Sequence, residues 1–341
     1  MRIIWKNANR EDGTNDGVMP ESHDMIARVL GPGPTLNSMS SVQLEKFAEM
    51  LSRVPADSIG VEVELHAWVR EVFVVANSFA IYGPENPFAL HPELVKDFWV
   101  FEAGLIALLA NIFPAVTARR PYLARKRILT ALTEFVEQEH YKKASQLIQQ
   151  RVSINLKHGL TTEMAGHGEL IMLFGILGNA VPTTFWLLAN IFSRPDLLQE
   201  LRNGVAQAVT VTQPDDEAAT ETRTISVGKL RTTSPLLISA FRETLRTVAD
   251  LSSVRWTLQD TLIADKYLLK ANSIVQIASG VIHADKDVWG PDADVFNAHR
   301  FLTTPTTADG KAMEESALEK GTALPPLPKD VPSAAYRAVS P

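Results

Sequence analysis

Residues 170–192 read LIMLFGILGNAVPTTFWLLANIF, an unbroken run without Asp, Glu, Lys or Arg. About 20 apolar residues are enough for a helix to cross a bilayer. The central helix of a large α domain has the same composition, because it has no solvent face to carry charge. Either way the run fixes one long helix around which the rest of the chain must pack. Its middle is crowded with small and polar residues: Gly175, Gly178, Asn179, Pro182, Thr183 and Thr184. Pro182 has no N–H, so the carbonyl of Gly178 loses its intrahelical donor and a kink or opening is expected there. Asn179 beside that opening offers an amide to a neighbour. Such a polar break favours a groove next to a buried helix, while composition alone leaves the membrane span open.

The chain of 341 residues is 45% hydrophobic and 21% charged, as in a globular protein with a real core. A net charge of −6 leaves no basic footprint, so no nucleic-acid partner is expected. Cysteine is absent, which excludes disulfides, thiolate nucleophiles and thiolate metal ligands from these residues. The eight histidines stand apart, none in an HxxxH or HExxH spacing, so no metal site is expected from them. The opening MRIIWKNANREDG turns polar by Lys6, and no secretory signal is expected there.

Taken in order, residues 1–38 form a poorly defined segment, read as loop with one short helix, because Gly31-Pro32-Gly33-Pro34 is a strong breaker. A helix is expected over 42–53. Another follows from Leu65, Trp68, Val69, Val72, Phe73, Ala76, Phe79 and Ala80, which recur at helical steps until Gly83-Pro84 stops them. Pro92 opens a helix that grows apolar through 101–113, and Pro121 opens one running to about His158. Thr161 or Thr162 caps the long uncharged helix. Residues 211–234 read as a solvated connection, and Pro235 starts a helix through about Arg246. Beyond it the period shortens. Val254-Arg255-Trp256, Thr261-Leu262-Ile263, Tyr267-Leu268-Leu269 and 274–277 are short strands, the last two joined at Ala271-Asn272 as a hairpin.

Glu243 and Arg246 stand three apart on one helix face in SAFRETLRT, a pair that by itself means little. Further on comes HADKDVWGPDADVFNAHRFL, which joins Trp289-Gly290-Pro291-Asp292 to Phe296 and Arg300-Phe301. This ordered set resembles the cytochrome P-450 (haem-thiolate monooxygenase) superfamily. The resemblance implies a mainly α fold with a small late β region, here a partial one over residues 39–337 with a tail at 338–341. It also implies a buried structural triad of Glu243, Arg246 and Arg300, in which two guanidiniums share one carboxylate.

By the same resemblance, 170–192 takes the place of the long helix that passes over the haem. The positions of its acid-Thr pair, the catalytic ones, fall on Asn179 and Ala180, so both the acid and the hydroxyl are missing and the family's ordinary proton delivery is not expected here. Gly175 and Gly178 are then cofactor-contacting positions, and Arg255 the partner of a haem propionate. The pattern from Gly178 to Trp186, with Tyr82-Gly83-Pro84-x-Asn86-Pro87-Phe88, is similar to fungal biosynthetic members of the branch holding cholesterol 7α-hydroxylase and prostacyclin synthase. What the resemblance implies is haem as cofactor, a small apolar substrate and an NADPH-dependent reductase at the endoplasmic reticulum. The chemistry would be lipid, sterol, terpenoid or secondary-metabolite oxidation. The cysteine that ligates iron in the family does not occur in this sequence. The chain therefore reads as truncated at both ends and, as it stands, inactive in thiolate-driven oxidation with no securely bound haem. Two other readings are a non-enzymatic remnant that binds a partner or apolar ligand, and a helical membrane protein built on 170–192 and 98–116.

Overall fold

Capping side chains, prolines and glycines decide several of the helix ends. The computed structural model describes residues 2–8, 10, 12–53, 62–212 and 222–302, and the chain divides into two compact units, Met1–Phe185 and Trp186–Pro341. The expected domain 39–337 spans both. The expected tail, 338–341, lies outside the described residues.

The first unit is helical. After a short α1 (Arg2–Trp5) come α2 (Val18–Val29) and α3 (Pro34–Ser52). This differs from the loop expected over 1–38: Met25 and Val29 of α2 are buried in the main core. The Gly-Pro repeat does break the chain, but between two helices, and Pro34 begins the second because its missing N–H costs nothing in a first turn. Helix α4 (Leu65–Tyr82) starts where the Glu64 side chain accepts from the N–H groups of His66 and Ala67. It ends at Gly83, whose φ of 79° and closeness to the Lys143 carbonyl admit no side chain. The Asn86 side chain then caps α5 (Pro87–Leu90).

The apolar stretch expected over 92–113 as one helix is divided into α6 (Leu94–Ala103) and α7 (Leu105–Leu109), with Gly104 between them against the Pro121 ring. Helix α8 (Pro114–Thr117) is a single turn. The helix expected from Pro121 to His158 is also divided, into α9 (Arg119–Glu137), a 3-10 turn His140–Lys143 and α10 (Gln146–Lys157). Glu139 makes the break in the left-handed region at φ 58°, with no Gly or Pro to announce it.

Helix α11 (Thr162–Phe192) carries the uncharged run, and the Thr161 hydroxyl accepts the Met164 N–H at 3.1 Å, as a capping threonine should. Gly166 lets α11 approach α9 closely, since a Cβ there would lie 2.7 Å from the Leu132 carbonyl oxygen. Phe98, Ile128, Leu132, Phe135, Leu147, Leu173 and Leu177 fill the core these helices enclose.

The second unit begins within α11. Helix α12 (Pro195–Ala206) leads to an antiparallel pair, β1 (Val209–Thr212) with β2 (Thr222–Ile225), then α13 (Val227–Thr233) and α14 (Pro235–Val248). The connection expected over 211–234 therefore holds two Thr-rich strands and a helix capped by Ser226. Beyond α14 lie β3 (Ser252–Trp256), β4 (Thr261–Ile263), β5 (Tyr267–Leu269) and β6 (Ile274–Ala278), then α15 (Ser279–Ala284) and α16 (Lys286–Trp289). The expected pairing of the last two strands is wrong. β4 pairs with β5, closed by Ala264 and Asp265 at φ 51° and 50°, and β3 pairs with β6. Asn272 does take the left-handed turn, at φ 61°, but that turn carries the chain from one pair to the other.

Candidate functional site

Helix α14 is strongly amphipathic, and Glu243 sits on its inward face with no exposure at all. Three residues on, Arg246 donates to it through Nε at 2.8 Å and Nη2 at 2.7 Å, a forked pair. Arg300, 57 residues away in sequence, adds Nε at 3.0 Å, and the backbone N–H of Asn297 adds a further donor at 3.0 Å. Each guanidinium spends its other N–H groups on the stretch from α15 onward. Arg246 Nη1 reaches the carbonyls of His283 (2.7 Å) and Ala293 (2.6 Å). Arg300 donates to the carbonyls of Trp289, Asp292 and Val295 and to the Asp292 carboxylate. The hydrogen bond to Arg300 holds the Asp292 carboxyl below its usual range. The Trp289 ring lies 5.2 Å from the Arg246 guanidinium and meets Phe301 edge-on, while Ser239 ties the Ala298 carbonyl and the Phe301 N–H to α14. The chemistry of this cluster is that of a clamp: it pins two short helices and the irregular chain after them to α14 and offers no group to a reactant.

Helix α11 has two faces. Ala165, Glu169, Leu173, Leu177 and Val181 are buried, while Ile171, Gly175, Asn179 and Pro182 form an exposed face. Burial all round, expected from the lack of charge, is not what the structure has: 22% of its most apolar window is buried, in a helix long and apolar enough to cross a membrane. The expected opening at Pro182 is absent too, since the helix runs unbroken through it. The Asn179 amide is not offered outward but donates to the Gly175 carbonyl at 2.7 Å, and the Thr183 hydroxyl donates to the Asn179 carbonyl at 2.9 Å. Side-chain polar groups here turn back onto their own helix. Ala180 and Gly178 are half-buried beside this face. Gly175 has nothing within 4 Å of where a Cβ would stand, so the face is open and flat at that point.

Arg255 is exposed on β3, its Nη1 shared between the Ser253 hydroxyl and the Val254 carbonyl at 2.9 Å each. It makes no ion pair among the described residues.

Sequence reasoning missed one buried polar cluster. Glu169, on the covered face of α11, accepts from Arg151 Nε at 3.1 and 3.3 Å, and the Tyr82 hydroxyl lies 3.3 Å from its Oε2. Burial pushes the Glu169 carboxyl up, and Arg151 and Tyr82 do not fully offset it. Burial also pushes the Tyr82 hydroxyl well up, helped by the carboxylate beside it. The available signal was the lone acid at the head of an uncharged run, four residues before core Leu173.

Comparison with known proteins gives a consistent picture. A family model described as Cytochrome P450 matches residues 105–313. A cytochrome P450 monooxygenase of Gibberella zeae is 32% identical over 289 residues, covering 83% of this chain and 54% of the relative. Cytochrome P450 monooxygenase nodJ of Hypoxylon pulicicidum is 29% identical over 280 residues, with 82% and 54% covered. Cholesterol 7-alpha-monooxygenase of Cricetulus griseus is 22% identical over 313 residues, with 86% and 60% covered. The chain thus spans about half the length of the fungal relatives. Among solved structures, cyanobacterial CYP120A1 with retinoic acid bound superposes with a TM-score of 0.62 at 17% identity, covering 90% of this chain and 64% of that one.

Proposed function

Because the chain belongs to the cytochrome P450 family, we propose that its residues form the helical body of a monooxygenase acting on an apolar secondary metabolite or sterol-like substrate. Cytochrome P450 monooxygenases use a substrate and a redox partner, and the family implies haem. The partner proposed here is an NADPH-dependent reductase. The observation that carries the reading is the clamp on Glu243, in which the Arg246 and Arg300 guanidiniums and the Asn297 N–H hold the segment through Arg300 against α14.

The residues present fit a haem in part. The open, flat face of α11 at Gly175 suits a planar apolar group, with Gly178 proposed as the second small contact. Arg255 is proposed to pair with a propionate, on the strength of the sequence resemblance and its exposed guanidinium, which makes no ion pair among the described residues. The iron ligand does not fit: the sequence has no cysteine, and a thiolate is what favours O–O cleavage in this chemistry. No oxidation step is therefore assigned to these residues by themselves. Asn179 and Ala180, proposed at the positions of the acid-Thr pair, supply no acid, and the Asn179 amide is held by the Gly175 carbonyl.

The test is reconstitution of the purified chain with haem, followed by the reduced carbon monoxide spectrum. A Soret band without the red shift of thiolate ligation is expected. A thiolate-type band would overturn the inactivity of these residues, and loss of soluble helical protein in the wild type would overturn the proposed body itself.

A further inference from the structure

A cleft of about 630 Å³ lies between α4 and α6 in the first unit, and none of its lining residues belongs to α11. Its walls are mainly apolar, with Val75, Phe88, Val95 and Val100 among the lining residues. Two lining groups do not fit an apolar cleft. The Nε–H of Arg70 and the Nε1–H of Trp99 are both buried and have no hydrogen-bond acceptor. Buried donors of this kind are almost always paired, so two neighbouring orphans on one wall need a common explanation.

The two groups are held together. The Arg70 guanidinium lies 4.7 Å from the Trp99 ring, a cation–π contact, and Phe98 meets Trp99 edge-on at 5.0 Å. The stack fixes both donors without satisfying either. Arg70 also has no carboxylate partner among the described residues. Glu71, the lining acid, makes no ion pair with it, and Lys96 adds a second positive charge at the exposed edge. A cation of this sort, with directed N–H groups over an apolar floor, matches a ligand that is anionic at one end and hydrocarbon at the other.

The geometry points to a binding site for a small apolar molecule ending in a carboxylate, its oxygens accepting from Arg70 and Trp99 and its chain lying along Val75, Phe88, Val95 and Val100. This site is separate from the proposed haem face and does not depend on iron, cysteine or the second unit.

Isothermal titration of the full chain with decanoate, decan-1-ol and decyltrimethylammonium tests it. Decanoate should bind at least about tenfold tighter than decanol, as expected for a hydrogen-bonded charge, and the ammonium should not bind. Arg70→Gln should abolish that preference and leave weak decanol binding unchanged. Trp99→Phe, which keeps the ring and removes one N–H, should weaken decanoate several-fold. The proposal is overturned if decanoate does not bind, if decanol binds equally well, or if the preference survives in Arg70→Gln. Should Arg70→Gln fail to fold, the wild-type ranking decides, together with its loss in high salt for decanoate alone. A ranking insensitive to salt would overturn the site.

Discussion

Glu243 and Glu169 are both wholly buried carboxylates on helices, and each faces an arginine, but their surroundings have opposite designs. Glu243 receives both arms of Arg246, one of Arg300 and the Asn297 N–H, all at 3.0 Å or less. Glu169 receives one Nε of Arg151, shared between its two oxygens at 3.1 and 3.3 Å, and a Tyr82 hydroxyl at 3.3 Å. One carboxylate is saturated by donors that also grip distant backbone carbonyls. The other is under-supplied, so its burial raises its pKa. The lesson is that a buried acid stabilises a fold when its partners carry the load elsewhere, and costs stability when they merely face it.

The largest effect should come from breaking the saturated cluster. Glu243→Ala leaves the buried Arg246 guanidinium without a counter-charge and Arg300 with Asp292 alone, and should cost about 3–5 kcal/mol, read by urea unfolding of the wild type and variant. A loss below about 1 kcal/mol would erase the contrast. Gly166→Leu comes next. Its side chain has no room against the Leu132 backbone, and overpacking of this kind costs roughly 1–3 kcal/mol, read in the same titration. Glu169→Gln should cost less than Glu243→Ala in the same titration, because Glu169 holds one guanidinium and fewer donors.

The pH profile sharpens the point. A carboxyl whose folded pKa is raised binds its proton more tightly in the folded state. The contribution of Glu169 is therefore fully present below its ordinary value of 4.5 and is lost as pH rises through the folded value. Melting temperatures measured upward from pH 4.5 should show this decline in the wild type and not in Glu169→Gln. Asp292→Asn should have the smallest effect. Its pKa is lowered through Arg300, so any stability it adds is present above its ordinary value of 3.8 and lost as pH falls through the depressed one. Asn is expected to match the wild type in acid and fall slightly behind at neutral pH, measured in the same melts.

Much of this was legible in the sequence where spacing and chemistry coincide. The position of α4, the Thr161 cap, the long uncharged helix and the residues of the Glu243 cluster are all written in short-range pattern or in a distinctive order. What could not be read has physical causes. The breaks at Gly104 and Glu139 depend on how neighbouring helices crowd the backbone, as the Pro121 ring against Gly104 shows. Pairing β4 with β5 rather than β5 with β6 turns on Ala264 and Asp265 both adopting the left-handed region, which Asp tolerates and Ala does not advertise. The one-sided burial of α11 is invisible to composition, because an apolar exposed face and an apolar buried one are spelled alike. The Asn179 amide was expected outward, yet it donates to the Gly175 carbonyl one turn back on its own helix.

Gly166 shows how a single hydrogen in place of a methyl sets a distance. Where α11 meets the Leu132 carbonyl, the two main chains touch with no spacer, and that seam acts as the gauge for the whole contact. Widen it by one carbon, and Phe135 on one helix and Leu173 on the other would be drawn apart together, loosening a row of contacts far from the altered atom.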